Sequence, residues 1–514
     1  MGTNDEPDSG RGKWLALAAA LLGWLFDGAE MGVFSMVGRP AIKDLLATTD
    51  EGVIGLWFGV VTAGFLVGAA TGGVLFGWLG DRLGRVRAMT LSVLTYSVFT
   101  GLCGVAGEAW QVGALRFIAA LGMGGEWSLG VALVMEVWPN RSRAFMAGLI
   151  GAAANVGYML VGFVGLGLAV VLGAFGRGLA SAGLAQDTVD WLVRNQGWRL
   201  MMMVGTLPAL LTFFIRLFVP ESAKWQEEKG RGATSGWATR DLLGVVIGAL
   251  GPALMVYLWA WDGPEWLRHT LPVRLVGSVL GLTAATVGYT YPLVRYLQRQ
   301  MPANSAHRWA PTLRRMLLAA CLSGVALLGT WCSVQWAPAW ADKLTQGAEH
   351  AKEHTQIVLA IGAIIGTLLA AFMGDWFGRR PAYALLCLLS LASVFVLFQT
   401  NTAYGPMLLV SAGLAGAATA SFYGWLPLYL PELFPTRIRA TGQGFGFNFG
   451  RILAAVGALQ TGNLMTLFQK DVVIAGMTFT HGYPLACTAM SLIYLVGVGI
   501  IWLVPETRGK PLPE

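Results

Sequence analysis

Between two long apolar runs stands a dense charged turn, Gly77-Trp78-Leu79-Gly80-Asp81-Arg82-Leu83-Gly84-Arg85-Val86-Arg87, and a second copy follows as Met373-Gly374-Asp375-Trp376-Phe377-Gly378-Arg379-Arg380. Asp81 and Asp375 lie 294 positions apart. A second pair of turns, Glu136-x-x-Pro139-x-Arg141-x-Arg143 and Glu432-x-x-Pro435-x-Arg437-x-Arg439, lies 296 apart. Two unrelated signatures repeating at nearly equal intervals make the chain an internal duplication. The runs around the turns are each long enough to cross about 30 Å of hydrocarbon. Such a chain folds as an all-α membrane protein made of two similar halves.

Composition agrees, since 55% hydrophobic against 12% charged residues over 514 positions cannot cover a soluble surface. The net charge of +7 does not indicate nucleic acid, because the basic residues sit in short turns between apolar runs rather than in one patch. Cys103, Cys321, Cys332, Cys387 and Cys487 lie in or beside apolar runs with no ligand-like spacing, so neither a disulfide framework nor a metal site is expected. The polar start is acidic for a signal peptide, and the first apolar run reads as a retained span. No cofactor motif occurs: there is no phosphate loop, no His-Glu-x-x-His, and no histidine inside a span, which argues against an enzyme.

Fourteen spans are expected, arranged six, two and six. The ranges are a cytosolic tail (1–12), a six-helix bundle (13–220), a linker with two further transmembrane helices (221–315), a second six-helix bundle (316–505) and a cytosolic tail (506–514). The two linker runs, 242–261 and 275–294, carry no charge and so lack the polar face of an interfacial helix. Gly64, Gly68 and Gly72 form a small-residue stripe for close helix packing. With both termini inside, 22 of the 35 Lys and Arg fall on cytosolic segments, as the positive-inside rule requires.

Ionisable side chains at membrane depth cost roughly 3 kcal/mol or more unless paired or solvated. The first half has Asp27 and Glu30 on span one, and Arg116 and Glu126 on span four. By helical rise Asp27 stands about 21 Å above the inner face and Arg116 about 9 Å below the outer one, so the two reach one level. Such a pair either holds two helices in register or exchanges a proton as its members separate. Glu30, one turn outward, is either a proton entrance or a solvated mouth carboxylate. Glu126 belongs to an exit path or to the inner charge cluster. The second half has one deep charge, Arg451, with no acid of its own half at its depth. It either satisfies carbonyls of broken helices, pairs with a first-half acid, or binds an anionic ligand, for which its planar fork suits a carboxylate. Asn448, Gln443, Tyr423, Gln335, Trp331 and Trp336 are near it in depth or on facing spans. At the inner turns Asp81, Arg82, Arg85, Glu136, Arg141, Arg143, Asp375, Arg379, Glu432, Arg437 and Arg439 are expected to form a latch between the halves, modest and salt-sensitive at a wet boundary.

The duplicated turns, with Pro220-Glu221-Ser222 and Pro505-Glu506-Thr507, resemble the major facilitator superfamily over nearly the whole chain. The resemblance implies two pseudo-symmetric six-helix bundles, alternating access, and residence in a plasma or bacterial inner membrane, with lipid, a small solute and protons as partners and a monomer as the unit. Asp27 in Gly23-Trp24-Leu25-Phe26-Asp27-Gly28 and Arg116 in Arg116-Phe117-x4-Gly122-x-Gly124-Gly125-Glu126 stand where proton-coupled symporters place an acid and an arginine. The sugar-porter branch usually has a glutamine where this chain has Gly151 and a tryptophan where it has Pro427. Fourteen spans, the Gly-Gly-Glu of span four and the Gly-Arg of the penultimate span look like the sialate and lactate type of proton symporter. The implied function is proton symport of a small organic anion. The alternatives are a proton-coupled sugar or polyol symporter and a non-transporting nutrient sensor.

Overall fold

A computed structural model describes residues 10–208, 211, 214–215, 218–264, 268–300, 309–347, 350–457, 459, 470–474 and 477–513. Among the described residues twelve helices are long and apolar enough to cross a membrane. They coincide with twelve of the fourteen expected spans. The other two, the sixth (199–219) and the thirteenth (from 439), run into residues outside the described set.

The first half comprises α1 (Gly10–Leu46), α2 (Glu51–Leu83), α3 (Arg85–Cys103), α4 (Ala109–Val137), α5 (Arg143–Leu166), α6 (Leu168–Ser181) and α7 (Gln186–Val204). A short α8 (Ala223–Gly230) leads to the inserted pair, α9 (Leu242–Ala260) and α10 (Leu271–Gln300). The second half comprises α11 (Ala310–Trp331), α12 (Ala337–Leu344), α13 (Ala351–Phe377), α14 (Arg379–Gln399), α15 (Pro406–Ala420), α16 (Phe422–Tyr429), α17 (Arg439–Asn448), α18 (Tyr483–Ser491) and α19 (Ile493–Ile500). A small antiparallel ribbon, β1 (Val472–Ile474) and β2 (Met477–Phe479), pairs Val472 with Phe479.

Local chemistry marks the helix ends. Asp50 caps α2 by accepting from the backbone N–H of Gly52 at 2.8 Å, and Glu108 with Gln111 forms a capping box on α4. The duplicated turns break their helices at equivalent glycines, Gly84 at φ +113° and Gly378 at φ +94°, backbone that a side chain would strain. The fifth span was expected to continue to residue 172. Instead α5 stops at Leu166, and α6 follows as a separate helix with no buried residue.

Without a hydrophobic force between helices in lipid, close backbone approach does the packing. A Cβ on Gly68 or Gly72 would overlap the α4 carbonyls of Phe117 or Leu121, whereas Gly64 faces open space and takes no part in the stripe. Gly362 and Gly366 play the same part between α13 and α15, against the carbonyls of Gly413 and Ala417. The halves meet on two seams. Gly73 and Gly77 of α2 pack on Gly444 and Ala440 of α17, and Gly148 and Gly151 of α5 pack on Leu368 of α13 and Tyr423 of α16.

The inserted helices pair through Gly248 with Gly288 and Gly251 with Gly281. Their outer faces expose Val246, Ile247, Leu250, Val276, Val279 and Leu280, an apolar surface suited to acyl chains. On the inner side the Tyr289 and Thr71 hydroxyls are 2.7 Å apart, tying α10 to α2.

Candidate functional site

Helix breaks create the central cavity. The span that starts with α11 is interrupted at Cys332–Ser333 and by a 3-10 turn at Val334–Trp336 before α12 resumes. Another break, at Phe449–Gly450, separates α17 from helical residues 451–457, with Gly450 against Gly324. Irregular backbone is tolerated at membrane depth where it borders a cavity. Here the first break sets Trp331 and Gln335, and the second Arg451, around a space of about 120 Å³. Tyr158 and Asn155 of α5, Trp24 of α1 and Tyr423 of α16 complete its polar and aromatic wall. The Phe447 ring forms a floor, stacked on Trp127 with centroids 3.8 Å apart and flanked by Trp24 and Tyr423. A second space of about 340 Å³ shares Trp331, Gln335 and Tyr158 with the first. It extends past Arg116 and Trp336 to Arg39 and Lys352, toward the end opposite the charged turns.

Arg451 is buried in the wall of the inner space, and its Nε and Nη1 have no hydrogen-bond partner. Its guanidinium lies 5.7 Å from the Phe447 ring, and Asp27 and Tyr423 are its electrostatic neighbours. Asp27 does not meet Arg116. Arg116 is held by Glu30 at 2.5 Å, over the rings of Phe34 and Phe65. The carboxyl facing Asp27 within hydrogen-bonding reach is that of Glu126, which packs over Gly23. Equal depth is therefore not contact: Arg116 takes the acid one turn further out on α1, and Asp27 takes the acid on α4. Glu126 takes no part in the ion pairs of the inner charge cluster. Both of its oxygens and Asp27 Oδ1 lack any other hydrogen-bond partner.

Of the side chains expected near Arg451, Tyr423, Gln335 and Trp331 line the inner space and Trp336 the outer one. Asn448 and Gln443 do not. Asn448 Nδ2 donates to the Gly124 carbonyl at 2.9 Å, and Gln443 Nε2 donates to the Ser128 carbonyl, so both stitch α17 to α4. Trp24, Asn155, Tyr158 and Phe447 are missing from the sequence reading. Asn155 and Tyr158 were findable as polar groups three residues apart in an otherwise apolar span. Trp24 and Phe447 carry no such signal.

The turn end is closed, and its charges are dry. Arg85 bridges Asp81 at 2.8 Å and Glu136 at 3.0 Å, all three side chains having 0% exposure. Glu136 also receives Arg439 from the other half at 2.8 Å, and Arg85 donates across the seam to the Thr436 carbonyl at 2.7 Å. Asp81 accepts from the Thr441 hydroxyl at 2.6 Å and its N–H at 2.8 Å. The expected wet, salt-sensitive boundary is corrected by this burial, since interior ion pairs are little screened. The ion pairs of Arg379 stay within the second half: it holds Glu432 at 2.6 Å and Asp375, 55% exposed, at 3.3 Å. Arg143 donates to the Met135 carbonyl and Arg82 to Thr239, while Arg141 and Arg437 are exposed outside the network. Behind each copy a carboxylate caps the next helix. Glu221 accepts from Arg85 N and Val86 N, and Glu506 from Arg379 N and Arg380 N.

Two glycine-seamed bundles around a central cavity, closed at one end by a duplicated charge network, define a membrane transporter of the major facilitator fold. The family model described as "Sugar (and other) transporter" matches residues 15–241 and 274–509, and the chain belongs to that family, one of transporters rather than enzymes. The match breaks over the first inserted helix, α9, and resumes three residues into α10. A putative metabolite transport protein of Haemophilus influenzae is 25% identical over 97% of this chain and 98% of its own length. The cis,cis-muconate transport protein of Acinetobacter baylyi is 26% identical over 90% of each. The proton:xylose symporter XylE bound to 6-bromo-6-deoxy-D-glucose shares the fold, with TM-score 0.63, 19% identity and 98% of each chain covered.

Proposed function

We propose that the protein carries a small organic anion across a cell membrane together with protons, with the turn end and both termini facing the cytosol. The observation that carries this reading is Arg451, a buried guanidinium with two unpartnered nitrogens in the wall of a central, aromatic-lined cavity. Two guanidinium nitrogens so placed lack a hydrogen-bond partner until a carboxylate enters, and an unsaturated or aromatic acid would lie flat on the Phe447 floor. The muconate transport protein among the relatives supports an acid of that kind. Two carboxyls in contact, away from water, repel when both are ionised, so the Asp27–Glu126 pair is where one proton is held. With the turn end closed and the cavity leading toward the other end, the state described is the one that receives solute from outside.

Proteoliposomes under an imposed pH gradient test the reading with a panel of labelled acids, each paired with its neutral amide. Wild type concentrates the acid and discriminates against the amide. Arg451→Gln lowers acid affinity by about ten- to a hundred-fold, the worth of a lost charged hydrogen bond of about 1.5 to 3 kcal/mol, and brings the two ligands close together. Arg451→Lys falls between, because a point charge replaces the fork. Equal wild-type affinity for acid and amide would leave a neutral sugar or polyol as the substrate.

A further inference from the structure

The turn end has a second basic feature, on the outer wall of the second half and away from the transport pathway. Where the start of α11, the start of α14 and the 3-10 end of the last span meet, a cleft of about 740 Å³ carries Arg314, Arg315 and Arg380 on its rim. Its wall continues into Leu318 and into Leu503, which is 58% exposed. Arg314 and Arg315 are exposed, and their recorded commitments are slight: Arg315 Nη1 reaches the Leu433 carbonyl at 3.5 Å. Arg380 spends only Nε, on the Val504 carbonyl at 2.7 Å.

No carboxylate lines the cleft among the described residues. Two acids that adjoin it in sequence, Glu506 beside Pro505 and Glu432 beside Leu433, are already engaged. Glu506 accepts from four backbone N–H groups, and Glu432 from Arg379 and the Thr507 hydroxyl. Three cations at the mouth of an apolar groove on a lipid-facing wall match one kind of molecule, a phosphate head with an acyl tail. We infer that this cleft holds an anionic phospholipid of the leaflet at the turn end, its phosphate on the three arginines and a chain along Leu318 and Leu503. Arg380 follows Arg379 of the charge network and Pro505 precedes Glu506, so a lipid seated here also steadies the second-half clamp.

Native mass spectrometry on the full-length protein given equal amounts of phosphatidylglycerol and phosphatidylcholine tests the site. Wild type retains the anionic lipid in preference by about ten-fold, because three surface arginines attract the charged head through screening solvent. Arg314→Ala/Arg315→Ala reduces the preference to near parity at an unchanged melting temperature, and Arg314→Lys/Arg315→Lys keeps most of it. Millimolar glycerol 3-phosphate leaves the bound lipid in place. Parity in the wild type, which needs no variant, overturns the inference, as does an unchanged preference in the double alanine protein. Displacement by glycerol 3-phosphate overturns it too, in favour of a soluble phosphate.

Discussion

Asp27, Glu126 and Arg451 are three deeply buried ionisable side chains, each with at least one polar atom that lacks a hydrogen-bond partner, and Asp27 neighbours both of the others. A fold keeps such a cluster only if a proton or a ligand completes it. Replacing either acid by its amide mimics the permanently protonated group. Asp27→Asn and Glu126→Gln should each preserve exchange of labelled solute across the membrane while abolishing accumulation driven by a pH gradient. Accumulation that survives in both would make the pair purely structural. Glu30→Gln behaves differently, because it strands Arg116 without its carboxylate and should lower the melting temperature, by about 3 kcal/mol or more in stability. These roles were only half legible in the sequence. Rise per residue put Asp27 and Arg116 at one level and so invited a pairing, but depth leaves the azimuth of a helix free. The partner was decided by which face of α1 each acid occupies.

At the level of helices, closure of the turn end rests on glycines as much as on charges. A Cβ on Gly444 would overlap the Gly73 carbonyl across the seam between the halves. Gly444→Ala should therefore favour the state open at the turn end, read as increased labelling of cysteines placed in the cavity by a reagent added from that side. Unchanged labelling would show that the seam yields. The helix caps give a pH-dependent expectation. Burial would push the Glu506 carboxyl up, but donation from the N–H groups of Arg380, Arg379, Arg508 and Thr507 outweighs it and holds the group below the ordinary carboxylate range. A depressed acid stabilises the fold above its unfolded value of about 4.3 and loses that contribution as pH falls through its folded value. The melting-temperature gap between wild type and Glu506→Gln should be widest at neutral pH and should close under acid. The turns themselves were readable from spacing, because Gly-x-x-x-Asp-x-x-Gly-Arg fixes where a helix must stop. Their burial was not, since it depends on how tightly α2 and α17 approach.

Over the whole molecule the duplication repeats the turns and is unequal in use. Both halves repeat the turn, its glycine with positive φ and the capping glutamate, yet Arg85 reaches across the seam while its counterpart Arg379 pairs within its own half, and among the described residues deep acids occur only in the first half. The inserted helices supply no wall to either part of the cavity. Replacing 239–300 by a short linker should leave solute affinity within about twofold, while loss of the Tyr289–Thr71 hydrogen bond, worth about 1 kcal/mol, and of packing on α2 lowers thermal stability. A large fall in affinity would assign the pair a part in the pathway. Twelve of the fourteen expected spans were open to sequence because span length and charge spacing are local. The cavity lining was not, because it follows from two helix breaks, at 332–336 and 449–450, and Pro338 and Arg451 beside them do not show which side chains the breaks turn inward.

Glu136 takes one guanidinium from each half on the same oxygen, Arg85 at 3.0 Å and Arg439 at 2.8 Å. Neither contact can lengthen by a fraction without leaving charge exposed to a dry interior. Parting the halves there is thus all or nothing. Watched one molecule at a time, the turn end would behave as a telegraph signal, resting at one of two separations and crossing between them too briefly to be caught on the way.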